Sequence, residues 1–119
     1  MVSLKKLAKI LEKGGATLSK NGKLANFKKG FQVSTVDKYQ IKLSNINEIL
    51  QAVNGLFVGL ADGEYVGLWV DAGLVYVDIS KKYQSFDYAM AIAKIYDQLS
   101  IYDWGLGACH DVKTFYSKF

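Results

Sequence analysis

Cys109 and His110 are the only cysteine and the only histidine of this chain, the two residue types that most readily supply a nucleophile and its base. As immediate neighbours on an extended segment they point to opposite sides, so they make no nucleophile-base pair. A structural zinc site takes about four Cys or His ligands, and the chain offers these two alone. Carboxylates recur through the second half as Asp71, Asp78, Asp103 and Asp111, which leaves metal binding by carboxylates alone as an alternative, although their spacing fits no cation-binding loop; Asp71 and Asp103 read as strand-end and turn residues. Gly55, Gly59, Gly63, Gly67 and Gly73 read as turn and strand glycines. Gly105 and Gly107 form a GxG that no helical periodicity follows, which argues against a dinucleotide site. These residues point away from an enzyme, a metal site or a bound cofactor, and toward a protein that acts by binding.

The residues suited to binding lie in Tyr65 to Ser80, YVGLWVDAGLVYVDIS. If Ala72 and Gly73 make a two-residue turn, Val70 faces Val75, Leu68 faces Val77 and Val66 faces Ile79 on one purely aliphatic side. The opposite side then carries Tyr65, Trp69, Tyr76 and Asp78. A slip of one residue would exchange the two faces. Further on, LSIYDW alternates, and if that strand joins the same sheet, Tyr102 and Trp104 extend the aromatic side. Such a face stacks unpaired bases or anchors a protein interface, where Trp and Tyr carry much of the energy. The competing structural role is a second core, covered by an N-terminal layer.

Charge divides the chain. Residues 1–42 hold ten lysines against Glu12 and Asp37, a balance of +8, whereas residues 43–119 balance at −4. Lys5, Lys6, Lys9, Lys13, Lys28 and Lys29 are the candidate nucleic-acid-binding residues, because lysine neutralises phosphates without reading sequence. A solvated helix and loop surface accounts for them equally well. The total lack of arginine argues against sequence-specific base reading, whose commonest tool is the guanidinium fork. An AT-rich genome would produce the same bias.

The elements that must position these residues follow from periodicity and turn chemistry. Ser3 caps a first helix with Leu4, Leu7, Ala8 and Leu11 as its stripe, ended by Gly14 and Gly15. Asn21-Gly22 joins two short segments, Ala16 to Ser19 and Lys23 to Ala25, in a hairpin. GFQVSTV and YQIKL suggest two strands around Asp37-Lys38. Asn45 and Glu48 resemble a capping box before the stripe Ile46, Ile49, Leu50 and Val53, closed by Gly55. Leu56 to Leu60 reads as a short strand or an irregular connection. Ser85 caps a last, mostly buried helix laid over the aliphatic face. The expected fold is α+β, a compact single domain over residues 1–119 with an antiparallel sheet, β-hairpins, about three helices and a β-β-α-β C-terminal half. Half the residues are apolar, which excludes a disordered chain, and no apolar run reaches the roughly 18 residues of a membrane span. With no signal-peptide pattern and one cysteine, a cytoplasmic location is expected.

The run VGLWVDAGLVYVDIS, the helix carrying Ala89, Ala91 and Ala93, and LSIYD together resemble small accessory proteins of phages and mobile elements of low-GC Gram-positive bacteria. LEKGGATLSKNGKLANFKKGFQVS is similar to the same group in its GG-x-T start and GF-x-VS strand. Some type II-A anti-CRISPR inhibitors share the N-terminal pattern. The resemblance implies a non-enzymatic inhibitor that binds a bacterial defence protein, a CRISPR effector nuclease in particular, as a monomer or homodimer. The group often has Asn-Gly at the hairpin turn, where this chain has Ala72-Gly73. The alternative expectation is a nucleic-acid-binding accessory protein that uses the lysines and the aromatic face.

Overall fold

A computed structural model describes residues 1–112, in the order α1 (Leu4–Glu12), β1 (Gly15–Leu18), β2 (Phe31–Lys42), α2 (Ile46–Val58), β3 (Glu64–Asp71), β4 (Leu74–Tyr83), α3 (Phe86–Ile95), β5 (Ser100–Asp103) and β6 (Ala108–Asp111). The fold is α+β with antiparallel pairing and three helices. The described residues form two compact units, one of Met1–Ala25 and Asp37–Ile79, the other of Asn26–Val36 and the described residues from Ser80 onward.

In the first unit the strand order is β1-β3-β4-β2. Ala72 and Gly73 both have positive φ, 50° and 78°, the signature of a type I′ two-residue turn. The expected aliphatic face forms: Val66, Leu68, Val75 and Val77 are buried, with Val70 and Ile79 packed against them. Each such side chain contributes roughly 1.5–3 kcal/mol by leaving water. Its cover, however, is α1 and α2 rather than the last helix: Leu7, Ile10, Leu11, Ile49, Val53 and Phe57 complete the same cluster. Ser3 caps α1 as expected, its Oγ accepting from the Lys6 amide at 3.1 Å. Leu4 is exposed and Ile10 takes its place in the buried stripe.

Three local readings are corrected in or across this region. Phe31–Lys42 is one 12-residue strand, because Asp37-Lys38 continues in extended backbone instead of turning. α2 runs through Gly55 to Val58. A mid-helix glycine costs about 1 kcal/mol against alanine, which burial of Phe57 offsets, so Leu56–Leu60 forms no strand. Asn45 makes no side-chain cap bond to the helix; its amide instead reaches Glu48 Oε2 at 3.4 Å. The Asn21-Gly22 turn holds, with Ser19 N–H donating to the Lys23 carbonyl at 2.8 Å and a single Leu18–Leu24 bridge beyond it.

In the second unit β2 pairs with β5 and β5 with β6. Ser85 caps α3 by accepting from the Tyr88 amide at 3.2 Å. Only Ala89, Met90 and Ala93 of α3 are buried, so this helix is half solvated, contrary to the sequence reading. It packs on Val33, Ile101 and Val112, because β5 rather than the β3–β4 hairpin lies beneath it. The helix closes through Asp97 at φ 54°, with Gln98 N–H donating to the Ala93 carbonyl at 2.8 Å, a Schellman arrangement. β6 was not foreseen; it forms because Gly107, at φ 66°, lets the chain fold back after Asp103.

Candidate functional site

The outer face of the β1-β3-β4 sheet is built around missing side chains. Gly15 pairs with Trp69, and Thr17 with Gly67. The two-residue turn sets Trp69 opposite Tyr76 and Gly67 opposite Asp78. The Asp78 carboxylate accordingly lies over Gly67: a β-carbon there would stand 2.2 Å from Oδ1. With no β-carbon at Gly15 or Gly67, the indole of Trp69 stands proud of the sheet and is 57% exposed. Tyr65, Tyr76 and Asp78 are half-buried on the same face.

Rigidity comes from behind. Leu68 and Val70 flank Trp69 on the strand and point into the aliphatic core. Gly14 accepts from the Val70 amide at 3.0 Å, which ties β3 to the start of β1. A large, two-torsion, amphipathic side chain held on such a platform loses little entropy on binding. Four of the predicted partner-binding residues, Tyr65, Trp69, Tyr76 and Asp78, thus share one face of one unit.

Tyr102 and Trp104 belong to the other unit. Trp104 is half-buried and anchored on several sides: Tyr102 meets it edge-on with centroids 5.0 Å apart, and Phe27 does so at 5.4 Å. Its Nε1 donates to Gln32 Oε1 at 3.0 Å, and Gln32 Nε2 donates to Ser80 Oγ at 2.9 Å. Lys82 Nζ sits 4.2 Å from the Phe27 ring centroid, a cation-π contact. Phe27, Gln32, Ser80 and Lys82 carry no mark in the sequence that sets them apart. The hydrogen bonds of Gln32 to Ser80 and Trp104 cross 48 and 72 residues of chain, where no local pattern operates.

The lysines separate as well. Lys5, Lys9 and Lys13 are exposed at i, i+4 spacing, one basic stripe along α1. Lys6 turns back to donate to the Gly22 carbonyl at 2.5 Å, so its ammonium fixes the hairpin to the helix. Lys28 and Lys29 are exposed in the second unit, on the segment that includes Phe27.

His110 and Asp103 face each other with Nε2 and Oδ2 2.8 Å apart. The other carboxylate oxygen accepts from the Gly105 and Leu106 amides at 2.9 and 3.1 Å. The His110 hydrogen bond, against the upward push of burial and with the two amides assisting, holds the Asp103 carboxyl below the usual carboxylate range. The arrangement closes the β5–β6 loop. Cys109 is exposed, while His110 lies against Phe31 and Phe86, the opposed directions expected of strand neighbours. Among the described residues no group of three or more His, Cys, Asp or Glu could hold a metal ion, and no helix is long and apolar enough to cross a membrane. No protein-family model, curated protein or solved structure matches this chain.

Proposed function

We propose that this chain is a non-enzymatic inhibitor of a bacterial defence system, acting in the cytoplasm by binding an RNA-guided type II nuclease through the β1-β3-β4 face. The observation that carries the binding reading is Trp69, 57% exposed at the centre of a sheet face whose reverse side packs against α1 and α2. An indole so placed is costly to leave in water and has the character of an interface hot spot. The choice of partner rests on the resemblance of VGLWVDAGLVYVDIS and of the GG-x-T and GF-x-VS segments to anti-CRISPR-like proteins. Asp71 and Asp78 at the same hairpin provide local charge complementary to a basic nuclease. Inhibition is then steric, the rigid face occupying a surface that guide or target nucleic acid needs. A pull-down with the guide-loaded nuclease and a DNA-cleavage assay test this together. Stable complex and loss of cleavage are expected; neither would remove the proposal.

A second reading, direct binding of nucleic acid, is favoured by the exposed stripe Lys5, Lys9 and Lys13. It requires affinity for short single-stranded DNA or RNA that falls steeply with salt. Absence of binding at low salt excludes it.

A further inference from the structure

We infer that the outward face of α3 is a docking surface for a second copy of this chain. Tyr88, Ala91 and Ile95 follow one another at i, i+3 and i+7, all exposed, and so lie along one side of the helix. Tyr88 is 57% and Ile95 74% exposed. Contiguous apolar exposure of this kind marks an interaction site on a folded protein. The outer side of α1, by contrast, sets Leu4 and Ala8 among Lys5, Lys9, Glu12 and Lys13, a predominantly charged face.

The pattern is self-complementary, which is what selects a second copy over a different partner. Ala91 is a small residue at the centre, where two helix axes can approach closely. Tyr88 stands three residues before it and Ile95 four after; Asp87 stands four before and Lys94 three after. An antiparallel pair about a two-fold axis at Ala91 sets Tyr88 of one copy beside Ile95 of the other. The same operation sets Asp87 beside Lys94, each match within one residue, about 1.5 Å, of level. Asp87 and Lys94, seven apart, share one flank of the apolar strip, so both reciprocal ion pairs fall on the rim. There they add register and selectivity more than affinity. Opposed helix dipoles favour the same orientation.

Sedimentation of the full chain from low to high micromolar concentration tests this, with far-UV circular dichroism verifying folding of each variant. Expected are a concentration-dependent dimer for the parent and a dissociation constant raised at least about tenfold by Ile95→Glu. Asp87→Lys should weaken the dimer, and Asp87→Lys with Lys94→Asp should restore it. A parent that stays monomeric throughout overturns the inference. So does a dimer that persists in Ile95→Glu and dissociates in Trp69→Ala, which would place the interface on the sheet, and so does a double charge swap that fails to restore association.

Discussion

Gly15 lies directly across the β1–β3 ladder from Trp69, and its missing side chain does two things. It leaves the flank of the indole open, and it lets β1 approach so closely that an added β-carbon would stand 2.0 Å from the Leu68 carbonyl oxygen. Its φ of 134° is also unfavourable for any L side chain. Gly15→Ala should therefore destabilise the protein by about 2 kcal/mol or more, read as a lowered urea midpoint. A midpoint equal to the parent's would contradict the close approach.

Two positions carry the opposite kind of strain. Ala72 at φ 50° and Asp97 at φ 54° are non-glycine residues in left-handed backbone. Ala72→Asn in the hairpin turn and Asp97→Gly at the end of α3 should each stabilise by roughly 0.5–1 kcal/mol. Urea unfolding with an unchanged slope would show it; destabilisation by either would argue against these turn geometries.

What the sequence made legible was local. Period-two alternation on both arms of a two-residue turn leaves one register that buries Val66, Leu68, Val75 and Val77 together, so the hairpin and its two faces could be read directly. Ser3 and Ser85 were likewise legible as caps, since their hydroxyls act within three residues. Which helix covers the aliphatic face was not. Both α2 and α3 carry an apolar stripe, and a stripe states that a helix is buried without naming its partner. The same holds for Trp104: its alternation with Tyr102 along LSIYDW was visible, but Gln32 and Phe27 reach it only in the fold. Asp37-Lys38 misled because a polar pair reads as a turn locally, whereas strand pairing on either side keeps β2 extended.

Gln32 is buried and serves two partners, accepting from Trp104 Nε1 and donating to Ser80 Oγ. Gln32→Ala leaves both groups without their bond and opens a cavity. A loss of about 2 kcal/mol is expected in denaturant unfolding. A change within experimental error would show that this chain of hydrogen bonds contributes nothing to stability.

The pairing of Asp103 with His110 gives stability a sign with pH. A carboxyl whose folded pKa is depressed stabilises the fold at pH above its unfolded value, and that contribution is lost as pH falls through the lower folded value. Melting temperature should accordingly fall with acidification below about pH 4. Asp103→Asn, which does not ionise, should flatten that part of the profile. Parallel profiles for parent and variant would contradict the depressed pKa.

Affinity for the guide-loaded nuclease is the direct measure of binding through the Trp69 face. Parent and Trp69→Ala would be titrated side by side, with circular dichroism confirming that both are folded. The parent should bind and block cleavage, and Trp69→Ala should be at least about thirtyfold weaker, as loss of a hot spot of about 2 kcal/mol requires. A folded Trp69→Ala that binds and inhibits as well as the parent, or a parent that does neither, contradicts binding through this face.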